Sequence, residues 1–204
     1  GAPPRPPTLI FFGGNAEEAS WILSEARWPP QWALVAVNYR GYGASTGSPS
    51  EQGLYRDADA ALVTFAERFR RTGIPVIYWG RSIGSPVAAY AATRAAPDAL
   101  ILDSPFPNAG ALLSGNPVMR LLYIFSSYSF PTSRFLQQYD KPLLVIHGDR
   151  DSIAPFSGGR EVFDRAPSAR KTFAVMSRAD HNDLDAVDPD AYWRAVDEFV
   201  ATLR

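Results

Sequence analysis

The stretch Val76–Pro86 (VIYWGRSIGSP) limits what this chain can fold into more than any other. The apolar run Val76-Ile77-Tyr78-Trp79 reads as a buried strand. It leads into Gly80-x-Ser82-x-Gly84, and Pro86 then suits the opening of a helix continuing through the Ala-rich Val87–Ala96. Strand, tight turn and helix in immediate succession fit a nucleophile elbow, where a serine hydroxyl stands at the tip of a strained turn. Glycines flank the serine because side chains there would strike the strand and the helix. On this reading Ser82 is a nucleophile. The same pattern recurs at Gly43-Ala44-Ser45-Thr46-Gly47, but Gly41, Ser48 and Pro49 surround it, so Ser45 reads as a loop residue.

Six apolar runs predict buried parallel strands: Thr8–Phe12, Ala33–Asn38, Pro75–Trp79, Ala99–Asp103, Pro142–His147 and Thr172–Met176. Helical patterns alternate with them. Asn15 can cap a helix with Glu17 and Glu18 in its first turn and Ala19, Ile22, Leu23 and Ala26 on one face. Ser50 can cap a second, with Leu54, Ala58, Ala61, Leu62, Phe65 and Phe69 on one face, Arg68–Arg71 at its end and Gly73 as its stop. A third follows Ser82, a fourth covers Gly158–Arg165, and the last opens at Asp188-Pro189. This alternation predicts an α/β fold with right-handed crossovers. In such a sheet the site lies beyond the carboxyl ends of the strands, and Asn15, Ser82, Asp103, Asp149, Asp151 and His181 all fall just after predicted strands.

The 204 residues suffice for one domain, expected over 8–204, with residues 1–7 as a linker or cut end. The chain continuing upstream, with a signal or anchor that could associate with a membrane, is a further expectation. The insert at about 106–139 breaks the alternation. It includes Phe106, Tyr123, Phe125, Tyr128, Phe130 and Phe135, with a helical pattern over Val118–Phe125. It reads either as a small cap lining an apolar pocket or as a packed crossover with ordinary core aromatics. A net charge of −1 gives no nucleic-acid surface. Without cysteine there is no disulfide, thiol nucleophile or thiolate metal site, and with two histidines no multi-histidine zinc site is expected.

A serine hydroxyl needs a base, and the base needs a group that orients it. His181 lies in the polar loop Ser177–Asp183 and is the expected base. His147 ends an apolar strand and is expected to support a loop by hydrogen bonding. Asp103, Asp149 and Asp151 are all candidate acids, and spacing does not choose among them. The negative oxygen of a tetrahedral intermediate needs N–H donors. The main chain of Ile83 can supply one, and the loop Phe12-Gly13-Gly14-Asn15-Ala16 a second.

Several motifs together are similar to the α/β-hydrolase superfamily, and within it to small serine hydrolases of the Bem and depalmitoylase types. They are Phe11-Phe12-Gly13-Gly14-Asn15-Ala16-Glu17, Asn38-Tyr39-Arg40-Gly41-Tyr42-Gly43-x-Ser45, Gly80-Arg81-Ser82-Ile83-Gly84, Leu102-Asp103-Ser104-Pro105-Phe106, His147-Gly148-x-x-Asp151-x-x-Ala154-Pro155 and His181-Asn182-Asp183. The resemblance implies Ser82 as nucleophile, Asp151 as acid, His181 as base, and the N–H groups of Asn15 and Ile83 as the oxyanion hole. It also implies the chain order serine, acid, histidine. It implies an α/β-hydrolase fold with a mostly parallel sheet of about six strands, in order 2-1-3-4-5-6, flanked by helices. The superfamily's usual two first strands are lacking, which leaves strand 33–38 as an edge open to association. The expected reaction is hydrolysis of a small-molecule ester or thioester through an acyl-serine, with no metal or organic cofactor. Amidase or peptidase activity with the same residues, or a non-catalytic binding role, are the alternatives.

Overall fold

The computed structural model of the chain describes residues 6–25, 27–66, 73–113 and 128–203. Strands β1 (Thr8–Phe12), β2 (Ala33–Val37), β3 (Val76–Arg81), β4 (Ala99–Asp103), β5 (Leu143–Gly148) and β6 (Lys171–Met176) form one parallel sheet. Their order is β2-β1-β3-β4-β5-β6, as expected, with strand ends moved by a residue or two. The central strands are buried on both faces, which is why they read as continuous apolar runs rather than alternating ones.

Alternation along each strand divides the interior into two cores. Ile10, Phe12, Tyr78, Leu100 and Val145 face α1 (Glu51–Ala61), α2 (Gly84–Arg94), α3 (Thr132–Leu136) and α4 (Phe156–Arg165). Leu9, Phe11, Ile77, Trp79 and Ile146 face the short α5 (Leu184–Val187) and α6 (Pro189–Ala201) on the other side. There the indole of Trp28 sits edge-on to Trp193 at 4.7 Å and to Trp79 at 5.4 Å. β2 lies at the sheet edge with Ala33 exposed and the rest half-buried. Among the described residues no helix is long and apolar enough to cross a membrane.

Two caps follow the sequence closely. Ser50 Oγ accepts the Gly53 N–H at 3.1 Å, and Asp188 accepts the Ala191 N–H at 3.0 Å with Pro189 as the first helical residue. The expected helix after Asn15 is instead a single 3-10 segment, Ala19–Ser24, and Asn15 does not cap it. The Asn15 side chain is taken by Tyr42, whose hydroxyl donates to Oδ1 at 2.7 Å, while Asn38 accepts the Ala19 N–H at 2.6 Å. Leu23, expected on the buried face, is exposed. α1 widens into a π turn over Leu62–Ala66. Ala26, Phe69, the basic run Arg68–Arg71 and the Val118–Phe125 helix lie outside the described residues, as do residues 1–5 of the expected linker.

Candidate active site

β3 delivers Ser82 to the carboxyl edge of the sheet, and the turn into α2 holds it there. Ser82 has φ +52°, a left-handed conformation that non-glycine residues seldom adopt. Its N–H donates to the Asp103 carbonyl at 2.8 Å, and its carbonyl accepts the Ser85 N–H at 2.9 Å. A Cβ at Gly80 would lie on the Gly84 carbonyl, and one at Gly84 on the Phe12 carbonyl. The two glycines therefore let β1, β3 and α2 close around the serine.

Two distant loops complete the arrangement. His181, buried in the loop after β6, has Nε2 at 2.8 Å from Ser82 Oγ. Its Nδ1 lies 2.8 Å and 3.0 Å from the two carboxylate oxygens of Asp151, in the loop after β5. Nδ1–H donates to the carboxylate, leaving Nε2 to accept from the hydroxyl. Asp151 Oδ1 also accepts the N–H groups of Ile153 (3.0 Å) and Ala154 (2.7 Å). Burial pushes the Asp151 carboxyl up, but hydrogen bonds from His147 and His181 and the attraction of His181 outweigh it and hold the group well below the usual carboxylate range. A serine hydroxyl bonded to an imidazole that is itself oriented by a fixed anion can lose its proton as it attacks.

The other acid candidates are engaged elsewhere. Asp149 Oδ1 accepts the Arg178 N–H at 2.6 Å, bracing the two loops. Asp103 turns its carboxylate into the opposite core, where it accepts from Trp79 Nε1 (2.9 Å) and Tyr192 Oη (2.6 Å). Burial raises its pKa to about 6, opposed by those two hydrogen bonds and by Arg81. His147 is fully buried, and its Nε2 lies 2.9 Å from the Ala154 carbonyl and 3.3 Å from Asp151 Oδ2, so it braces the acid loop. Ser45 donates to the Asn38 carbonyl at 3.3 Å, within its loop.

The loop after β1 runs beside Ser82: a Cβ at Gly14 would lie 3.7 Å from Ser82 Cβ. Glu17 folds back to accept the Gly14 N–H and pairs with Arg81 at 3.0 Å, tying this loop to the residue before the serine. Asn15, Ser82 and Ile83 all border one cavity of about 490 Å³, whose other walls include Leu54, Phe106 and Phe130. The aromatic insert therefore divides its labour. Phe106, Tyr128 and Phe130 border the cavity, whereas Phe135 packs edge-on against Tyr55 and Tyr90. Tyr123 and Phe125 lie outside the described residues.

Sequence reasoning missed Tyr42 and Glu51. Tyr42 anchors Asn15, and its Gly-rich loop reads as a plain connection. Glu51 is buried and accepts from Ser129 N–H (2.6 Å), Phe130 N–H (2.8 Å) and Tyr55 Oη (2.8 Å), holding the end of the insert against α1. Its place in a helical first turn gives it an ordinary role on sequence grounds, and no local signal announces the second one.

Sheet order and the strand-turn-helix around Ser82 are those of the α/β-hydrolase fold, and the comparisons place the chain among the α/β hydrolases. The chain belongs to the family described as serine aminopeptidase, S33, which it matches over residues 8–141. It is 33% identical over 189 residues to alpha/beta hydrolase domain-containing protein 17C of Mus musculus, covering 90% of this chain and 57% of that one. To alpha/beta hydrolase domain-containing protein 17B of Xenopus laevis it is 32% identical over 199 residues, covering 95% of this chain and 66% of that one. The chain thus spans little more than half to about two thirds of these relatives' length. Among solved structures it resembles a soluble variant of monoglyceride lipase from Saccharomyces cerevisiae, with TM-score 0.73 over 100% of this chain and 86% of that one at 17% identity. Mouse alpha/beta hydrolase domain-containing protein 10 gives TM-score 0.72 over 97% and 91% at 21% identity. At these identities the structural likeness speaks to the fold.

Proposed function

We propose that the protein is a serine hydrolase that cleaves a carboxylic ester or thioester through an acyl-serine intermediate. The carrying observation is the unbroken hydrogen-bonded series Ser82 Oγ, His181, Asp151 at the border of an apolar cavity. His181 takes the Ser82 proton as Oγ bonds to the acyl carbon, and the carbonyl oxygen becomes an oxyanion received by the N–H groups of Asn15 and Ile83. His181 then gives its proton to the departing alcohol or thiol. In the second half a water loses its proton to His181 and attacks the acyl-enzyme, releasing the acid and restoring Ser82. The cavity walls favour an apolar acyl group.

Amide cleavage by the same residues is the second reading, favoured by the family's description as an aminopeptidase. A fluorophosphonate probe tests the common core: wild type should be labelled and Ser82→Ala should not. A folded wild type that stays unlabelled would instead support a non-catalytic binding role. A chain-length series of p-nitrophenyl esters, run beside peptide amides, separates the two hydrolase readings; turnover confined to amides overturns the esterase one.

A further inference from the structure

The loops that carry the acid and the base are joined by one more carboxylate, Asp180. Its Oδ1 accepts the Ser152 N–H at 2.7 Å, the Ser152 hydroxyl at 2.8 Å and the His181 N–H at 2.7 Å, and its Oδ2 lies 3.0 Å from the same hydroxyl. Ser152 directly follows Asp151, and Asp180 directly precedes His181. The side chain thus spans the two loops at the residues next to the acid and the base. Apart from the Asp151–His181 bond itself, three further ties between the loops lie back toward the strands: Asp149 N–H to the Met176 carbonyl (3.2 Å), Arg150 N–H to the Ala179 carbonyl (3.1 Å) and Arg178 N–H to Asp149. Asp180 is itself fixed by its own N–H, which donates to Asp183 Oδ1 at 2.6 Å.

We propose that Asp180 is a positioning residue that sets the distance between His181 and Asp151 by clamping their two loops together. The inference rests on the triad reading above. Asp180 is not among the residues bordering the cavity, and the Ser82 hydroxyl is bonded to His181, so Asp180 acts through the placement of the His181 ring. Hydrogen bonds from the Ser152 and His181 N–H groups hold its carboxyl below the usual range, so it remains an acceptor across the neutral region. It is only half-buried, and water can satisfy the three donors when it is removed. The expected consequence of its loss is a folded protein with a loosened acid–base pair. Displacing reacting groups by about 1 Å can lower a rate about 100-fold.

The test compares Asp180→Ala, Asp180→Asn and Ser152→Ala on the full chain. Asp180→Ala should lower kcat and the fluorophosphonate labelling rate about 10- to 100-fold, with KM and Tm nearly unchanged. Asp180→Asn keeps one oxygen for the two N–H donors and should recover most of the rate. Ser152→Ala retains the Ser152 N–H bond and should lose little. Proton NMR of the His181 Nδ1–H resonance gives a readout independent of turnover: it should shift or broaden in Asp180→Ala and persist in Asp180→Asn. Unchanged kcat and resonance in Asp180→Ala, or an Asn variant as impaired as the Ala one, would overturn the clamp. An unlabelled wild type whose ring resonance still depends on Asp180 would overturn the hydrolase reading and leave the clamp standing.

Discussion

At the scale of single residues, two aspartates two positions apart take different roles because the loop between them reverses direction. Asp151 turns inward onto His181 and the N–H groups of Ile153 and Ala154, while Asp149 is exposed and accepts from Arg178. Asp151→Asn should preserve the fold while removing the anion that fixes the Nδ1–H tautomer, lowering kcat by about 10³- to 10⁴-fold. Asp149→Asn keeps its Oδ1 for Arg178 and should leave kcat within about twofold, the range of an ordinary surface substitution. Steady-state kinetics on one p-nitrophenyl ester decides, and the reverse ranking would transfer the acid role proposed for Asp151 to Asp149. Spacing in the sequence could not make this choice, because it depends on loop conformation. The elbow was legible for the opposite reason: Gly80 and Gly84 are required by contacts within one strand-turn-helix unit.

At the scale of elements, legibility follows the range of the interactions. Ser50 and Asp188 cap helices through bonds spanning three residues, and the pattern around each announces it. The Asn15 cap failed because a residue 27 positions away, Tyr42, claims that side chain. Glu51 shows the same limit on a larger span, since it satisfies main-chain donors 78 and 79 positions away. Ser129 is exposed and its N–H can turn to water, but the Phe130 N–H and the Tyr55 hydroxyl are buried, so removing their acceptor leaves both unpaired. Glu51→Ala should cost about 2–4 kcal/mol of stability, measured by urea denaturation. Because Glu51 and Phe130 both border the cavity, the same substitution should raise KM for long-chain esters more than for acetate esters. An equal change across the chain-length series would mean that Glu51 does not shape the acyl-binding part of the cavity and serves only to hold the insert.

For the whole molecule, the sheet order was readable because parallel strands buried on both faces leave continuous apolar runs. What sequence could not supply was the polar contact between the site and the core on the α6 side of the sheet. Asp103 is that contact: its main chain holds Ser82, and its buried carboxylate joins Trp79 of β3 to Tyr192 of α6. Burial raises its pKa from 3.8 to about 6, so between these values the folded chain holds a proton that the unfolded chain has released. Stability from this group is then full below about pH 4 and falls as pH rises through 6, by about 2–3 kcal/mol. Asp151 has the opposite sign. Its carboxyl is depressed on folding, so its contribution is present above the unfolded carboxylate range and lost in stronger acid. Comparing wild type with Asp103→Asn isolates the first effect, because every other group titrates alike in both proteins. Asn keeps an oxygen for Trp79 and Tyr192 and carries no charge to bury. Between pH 4 and 7 the stability of Asp103→Asn relative to wild type should therefore rise by about 2–3 kcal/mol. Urea denaturation at half-unit pH intervals measures it, and a difference that stays constant across that range would mean the buried Asp103 carboxyl does not titrate there.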